Sequence, residues 1–102
     1  MLVPFPYTNL STTLVRPAVV VSTDTFTAGT GDVLVAMITS QAYATPTDYE
    51  LQDWKAAHLL YPSRVRAKIA CIEQSLVHQT VGQLSSRDMA QVDARLRLAM
   101  GL

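Results

Sequence analysis

A single cysteine, Cys71, leaves this chain without any internal disulfide, and one thiol with no pairing partner suits a reducing cytoplasm. Flanked by Ile69 and Ile72, it reads as a small buried hydrophobe rather than a nucleophile. No Cys/His cluster has zinc-ligand spacing, and no glycine-rich loop precedes a helix to cradle a nucleotide phosphate. Ser, His and Asp form no recognisable triad motif, so no metal and no cofactor are expected. No apolar run approaches ~18 residues and no basic segment opens the chain, which argues against both a membrane span and a signal peptide. Charge is scarce as well: charged residues make up 16% and the formal net charge is zero. There is thus no global basic field, and any nucleic-acid site must come from local placement of the eight Lys and Arg residues.

What the chain does have is apolar surface. Hydrophobic residues reach 49% of 102 residues, a high share for one small domain spanning 1–102. Such a domain buries one core and leaves much of its surface exposed unless it pairs with another chain, so a homodimer is expected.

The elements follow from pattern. Leu2 to Pro6 reads as a short strand broken by prolines, which suits a sheet edge. Thr8 to Leu14 is a polar loop, and Pro17 to Thr23 a second strand with Arg16 held at its foot by the following proline. Asp24 to Gly31 is turn-rich. Asp32 to Ser40 is a strand whose nearly continuous apolar run implies burial on both faces. Gln41 to Glu50 is a loop, Leu51 to Leu60 a helical turn or irregular arm packed through Trp54, and Val65 to Glu73 another strand. Gln74 to Val81 connects it to a C-terminal helix. Ser85 and Asp88 form a capping box there, Leu84 and Met89 a hydrophobic staple, and Gly101 a C-terminal cap. Met89, Val92, Leu96, Ala99 and Met100 line one apolar stripe. Short strands plus one terminal helix make the fold mainly β, a small SH3-like barrel with a C-terminal helix. On the strand after Ser63, Arg64, Arg66 and Lys68 alternate, which would put three cations on one face, either to line a phosphate track or as the solvated face of an edge strand whose charges discourage aggregation.

Four pieces in order resemble the MazF/PemK toxin family. They are the stretch from Leu2 to Ser22 with Arg16-Pro17 ahead of Ala18-Val19-Val20-Val21, Val35-Ala36-Met37-Ile38-Thr39-Ser40-Gln41, Asp53-Trp54-Lys55-Ala56-Ala57-His58-Leu59-Leu60-Tyr61-Pro62-Ser63, and Ile72-Glu73-Gln74-Ser75-Leu76 through Gly82-Gln83-Leu84-Ser85. Relatives usually begin a few residues earlier, so either the start at Met1 is late or the barrel closes less completely. The resemblance implies the same barrel and a toxin of a type II toxin-antitoxin pair. It further implies a sequence-specific, metal-independent endoribonuclease acting on single-stranded RNA, a homodimer restrained by a cognate antitoxin, and DNA binding as the complex.

Metal-free RNA cleavage needs charge stabilisation at the scissile phosphate and two proton transfers. The family's catalytic arginine falls on Arg16, whose planar fork suits two phosphate oxygens, and its threonine falls on Thr39. Ser40 and Gln41 are assisting donors, and Arg64, Arg66 and Lys68 complete the RNA-binding set. The aspartate credited to one relative aligns with Ala67, so the general base is unassigned. His58 stands where the family usually has glycine, and His78 lies in the connector. Two other readings compete. An inactive relative would keep the fold and its antitoxin groove without cutting. A gyrase-poisoning toxin of the same fold relies on a terminal tryptophan-glycine-isoleucine, where this chain ends Met100-Gly101-Leu102.

Overall fold

A computed structural model describes residues 1–8, 13–77 and 80–102, with side chains from residue 5 to residue 15 outside the description. The tip of the Thr8 to Leu14 loop and His78 therefore lie outside the described residues. The elements run β1 (Leu2–Thr8), β2 (Thr13–Val20), α1 (Asp24–Thr30), β3 (Asp32–Thr39), β4 (Tyr49–Glu50), β5 (Arg64–Glu73), a 3-10 turn (Gln74–Leu76) and α2 (Ser86–Met100). The strands form one antiparallel sheet in the order β1-β2-β3-β5-β4.

Alternating side chains feed two clusters, one on each face of the strands. Leu2, Val19, Ala36, Ile38 and Val65 pack with Val92 and Leu96 of α2 and with Leu51, Ala57 and Leu84 of the connecting segments. Their neighbours Val3, Ala18, Val33 and Val35 form the second cluster. β3 is thus buried on both sides, as its unbroken apolar run requires.

The sheet is mainly β with a C-terminal helix, as expected, but it is open rather than a closed barrel. β4 is only two residues long, too short an edge to meet β1, and Pro4 lacks the N–H that a ladder along the β1 edge would need. One bridge covers that edge. Leu2 N donates to the Gly82 carbonyl and Val81 N to the Leu2 carbonyl, each at 2.8 Å. Gly82 fits there because a Cβ on it would lie 2.0 Å from the Ala57 carbonyl oxygen.

Four local expectations are corrected. The segment from Asp24 to Thr30 is helical: Thr23 Oγ1 accepts from Phe26 N at 3.2 Å, and Gly31, at φ +76°, closes it by donating to Thr27 O at 2.8 Å. Cys71 is exposed, because it lies beyond Ile69, the last β5 residue packed on the α2 side of the sheet. In α2 the apolar stripe is buried only through Val92 and Leu96, while Ala99 and Met100 are exposed in the last turn. Half of the capping box is present, since Ser85 Oγ accepts from Asp88 N at 3.2 Å. The Asp88 carboxylate does not return to the helix start. It is fully buried and accepts from Tyr49 Oη at 2.7 Å, Gln52 N at 3.0 Å and Asp53 N at 2.9 Å.

Candidate active site

Arg16 is not at the foot of β2 but inside it, opposite Phe5 of β1. On its other side β2 pairs with β3 only from Ala18, opposite Met37, to Val20, opposite Val35. Continuing that register two positions would set Arg16 against Thr39. Pro17 intervenes without an N–H to donate, the ladder stops at Ala18, and the strands part. Between them opens a cavity of about 490 Å³ lined by Arg16, Pro17, Ile38, Thr39 and Ser40, with Pro4 of β1 at one side. Thr39 is buried. Its Oγ1 accepts from Gln41 N at 3.2 Å, which leaves the hydroxyl hydrogen to donate. Arg16 is half-buried and takes part in none of the ion pairs among the described residues.

The opposite wall is the segment after β4. His58 N donates to Lys55 O at 3.0 Å and Leu59 N to Trp54 O at 3.1 Å, the paired bonds of a Schellman motif. That motif places His58 in the left-handed region at φ +66°. The turn sends His58, Leu59, Leu60, Tyr61 and Ser63 along the cavity, and Val81 closes its end. Ser63 is held by its Oγ donating to Tyr61 O at 2.7 Å. Of these, His58 carried a signal in the sequence, as a side chain where the turn favours glycine.

The expected basic track is divided. Arg64 faces Glu50 at 3.6 Å and donates from Nη1 to Gln41 O at 3.3 Å. Arg66 Nε donates to Asp48 Oδ1 at 2.9 Å, and its guanidinium stacks 3.7 Å from the centre of the Tyr43 ring. Lys68 is exposed where β5 bulges, since Met37 pairs with Arg66 but Ala36 with Ile69. Burial alone would raise the Asp48 carboxyl, but bonds from the Thr45 hydroxyl at 2.7 Å and amide at 3.0 Å, together with Arg66, hold it below the ordinary carboxylate value. Arg66 thus pins the Gln41–Glu50 loop to β5. Gln41 stays at the rim, its Oε1 accepting from Tyr43 Oη at 2.9 Å. Arg16, Thr39 and Ser40 converge on the cavity, whereas Gln41, Arg64, Arg66 and Lys68 are not among its lining residues.

An open antiparallel sheet backed by a C-terminal helix, with an arginine and a buried threonine facing across parted strands, defines a class of small β proteins built around one cleft. The chain belongs to the family of PemK-like, MazF-like toxins of type II toxin-antitoxin systems, which it matches over residues 1–100. No curated sequence relative matches it. Among solved structures it is similar to a mycobacterial endoribonuclease in complex with its cognate antitoxin, at 20% identity and a TM-score of 0.79, covering 99% of this chain and 91% of that one. It is also similar to the MazE-MazF complex of Deinococcus radiodurans, at 23% identity and a TM-score of 0.75 with 99% and 92% covered. The Mycobacterium tuberculosis toxin MazF-mt6 matches at 19% identity and a TM-score of 0.73, with 86% and 88% covered. At these identities the likeness establishes a shared fold.

Proposed function

We propose that this protein, acting over 1–102 as one domain, is the toxin of a type II pair and cleaves single-stranded RNA at a specific sequence without a metal ion. The convergence of Arg16, Thr39 and Ser40 on one cleft supports this reading most directly. Arg16 offers a planar, positively charged fork to two phosphate oxygens. Thr39 donates its hydroxyl to the same phosphate, and Ser40 and Gln41 hold the flanking nucleotide at the rim. Charge on the transition state is met by Arg16 rather than by a metal. The Arg64 bond to a mostly exposed Glu50 is of the kind worth little, so Arg64 can exchange it for phosphate, while Lys68 offers a second exposed cation at the β5 bulge. Arg66 serves the same track by fixing its loop. The protein works as a cytoplasmic homodimer restrained by its cognate antitoxin; no described helix is long and apolar enough to cross a membrane.

The test pairs cleavage with stability. Purified protein should cut mixed-sequence RNA in excess EDTA at one recurring short sequence, and loss of cutting that magnesium restores would overturn the mechanism. Rates should fall from wild type to Arg16→Lys to Arg16→Ala, because lysine keeps the charge but loses the fork. Removing one such donor typically costs ~10²–10³ in rate, whereas folding should shift by only about 0.5 kcal/mol. Unchanged cleavage by Arg16→Ala, or a large drop in its thermal midpoint, would make Arg16 structural.

A further inference from the structure

The cleft supplies charge and hydroxyls, but RNA cleavage also requires a group that removes the proton of the attacking 2′-hydroxyl. Among the described residues, the titratable side chains lining the cavity are Arg16, His58 and Tyr61, and no carboxylate is among them. Guanidinium holds its proton and a phenol ordinarily keeps one until about pH 10, whereas imidazole exchanges one near neutrality. Resting on the endoribonuclease reading, we infer that His58 is the general base of the reaction.

The backbone points the same way. His58 is the only non-glycine residue with positive φ among the described residues, and it occupies the position of a Schellman motif where glycine is favoured. Packing does not explain a side chain there, because His58 is exposed. Residues kept in such a conformation gather at functional sites. The other ionisable groups around it have their own partners. On the same turn Asp53 is bound to Arg87 and Ser85, and Lys55 lies over the Trp54 ring at 5.4 Å. Among the described residues, β2 brings Arg16 to the cavity, the segment after the turn brings Tyr61, and β3 brings no titratable side chain.

In the step, an unprotonated His58 ring nitrogen takes the 2′-hydroxyl proton as the 2′ oxygen bonds to phosphorus. The bond from phosphorus to the 5′ oxygen breaks, and that oxygen takes a proton from water. The products are a 2′,3′-cyclic phosphate and a 5′-hydroxyl, and His58 then releases its proton to solvent. Nothing is oxidised or reduced.

Three proteins test this, wild type, His58→Gly and His58→Asn, assayed on mixed-sequence RNA from pH 5 to 9. Both variants should lose about 10²–10⁴-fold in rate, the usual contribution of a general base, and should lose the rise in rate with pH on the acid side. His58→Gly should melt no lower than wild type, since glycine suits the left-handed position, and added imidazole should restore part of its cleavage. That combination of a retained midpoint, lost activity and chemical rescue is one a structural histidine would not produce. A glycine variant with wild-type rate, or one slowed with its acid limb intact, overturns the assignment of His58 while the endoribonuclease reading stands. RNA left intact by the wild-type protein overturns both.

Discussion

Asp88 shows how one residue can do two jobs, one through its backbone and one through its side chain. Its backbone N–H is capped by Ser85, while its carboxylate, fully buried, satisfies the Tyr49 hydroxyl and the amides of Gln52 and Asp53. Burial and the bond to Asp88 push the Tyr49 phenol up to about 12. Asp88→Ala would strand three donors, and a buried donor left without a partner typically costs about 1–3 kcal/mol, so the three together cost at least ~3 kcal/mol. With each kcal/mol moving the midpoint of a domain this size by about 4–8 °C, the variant should melt at least ~12 °C lower. A calorimetric midpoint within a few degrees of wild type would mean that water replaces the carboxylate. At this scale the motifs single out Arg16 and Thr39, and both line the one cavity described above. It was not legible that Pro17 parts the strands between them, because that depends on where the β2 ladder meets β3. The burial of Asp88 was equally hidden, since its three partners lie 35 to 39 positions away.

Among the elements, α2 was readable nearly to the residue because its caps are local: Ser85 opens it and Gly101, at φ +73°, ends it. α1 was missed for the opposite reason. It is seven residues long and buries none of them, so no apolar stripe marks it and only Thr23 and Gly31 give it away. The start of α2 is also fastened to the segment that carries the His58 turn, through Arg87 and Ser85 on the Asp53 carboxylate. The bonds from Arg87 and from Ser85, against a smaller effect of burial, hold the Asp53 carboxyl down to about 2. A depressed carboxyl stabilises the fold above its unfolded value, which for aspartate is about 3.9, and that contribution disappears as pH falls toward about 2. Thermal midpoints of wild type and Asp53→Asn should therefore differ at pH 6 and converge between about pH 4 and pH 2. A gap that persists unchanged at pH 2 would show that Asp53 acts by packing and not by charge.

The whole molecule exposes more surface than its mass requires. Its accessible area is 6464 Å², where a compact 11.2 kDa monomer exposes roughly 5,700 Å². The exposed apolar residues are also grouped. Leu60 and Tyr61 lie beside the cleft at 84% and 65% exposure, and Leu98, Met100 and Leu102 lie around the end of α2. An apolar composition read without a partner led to the same expectation, since 49% hydrophobic residues exceed what one small core takes in. We therefore expect a homodimer at micromolar concentration, sedimenting at roughly twice 11.2 kDa. Because the exposed groups are apolar and the formal net charge is zero, its dissociation constant should change little between low and high salt, whereas a charge-driven association would weaken as the Debye length shrinks from about 30 Å at 0.01 M to about 3 Å at 1 M. Sedimentation at the monomer mass up to hundreds of micromolar would refute the dimer. A dimer that dissociates on adding salt would leave the mass correct and the apolar explanation wrong.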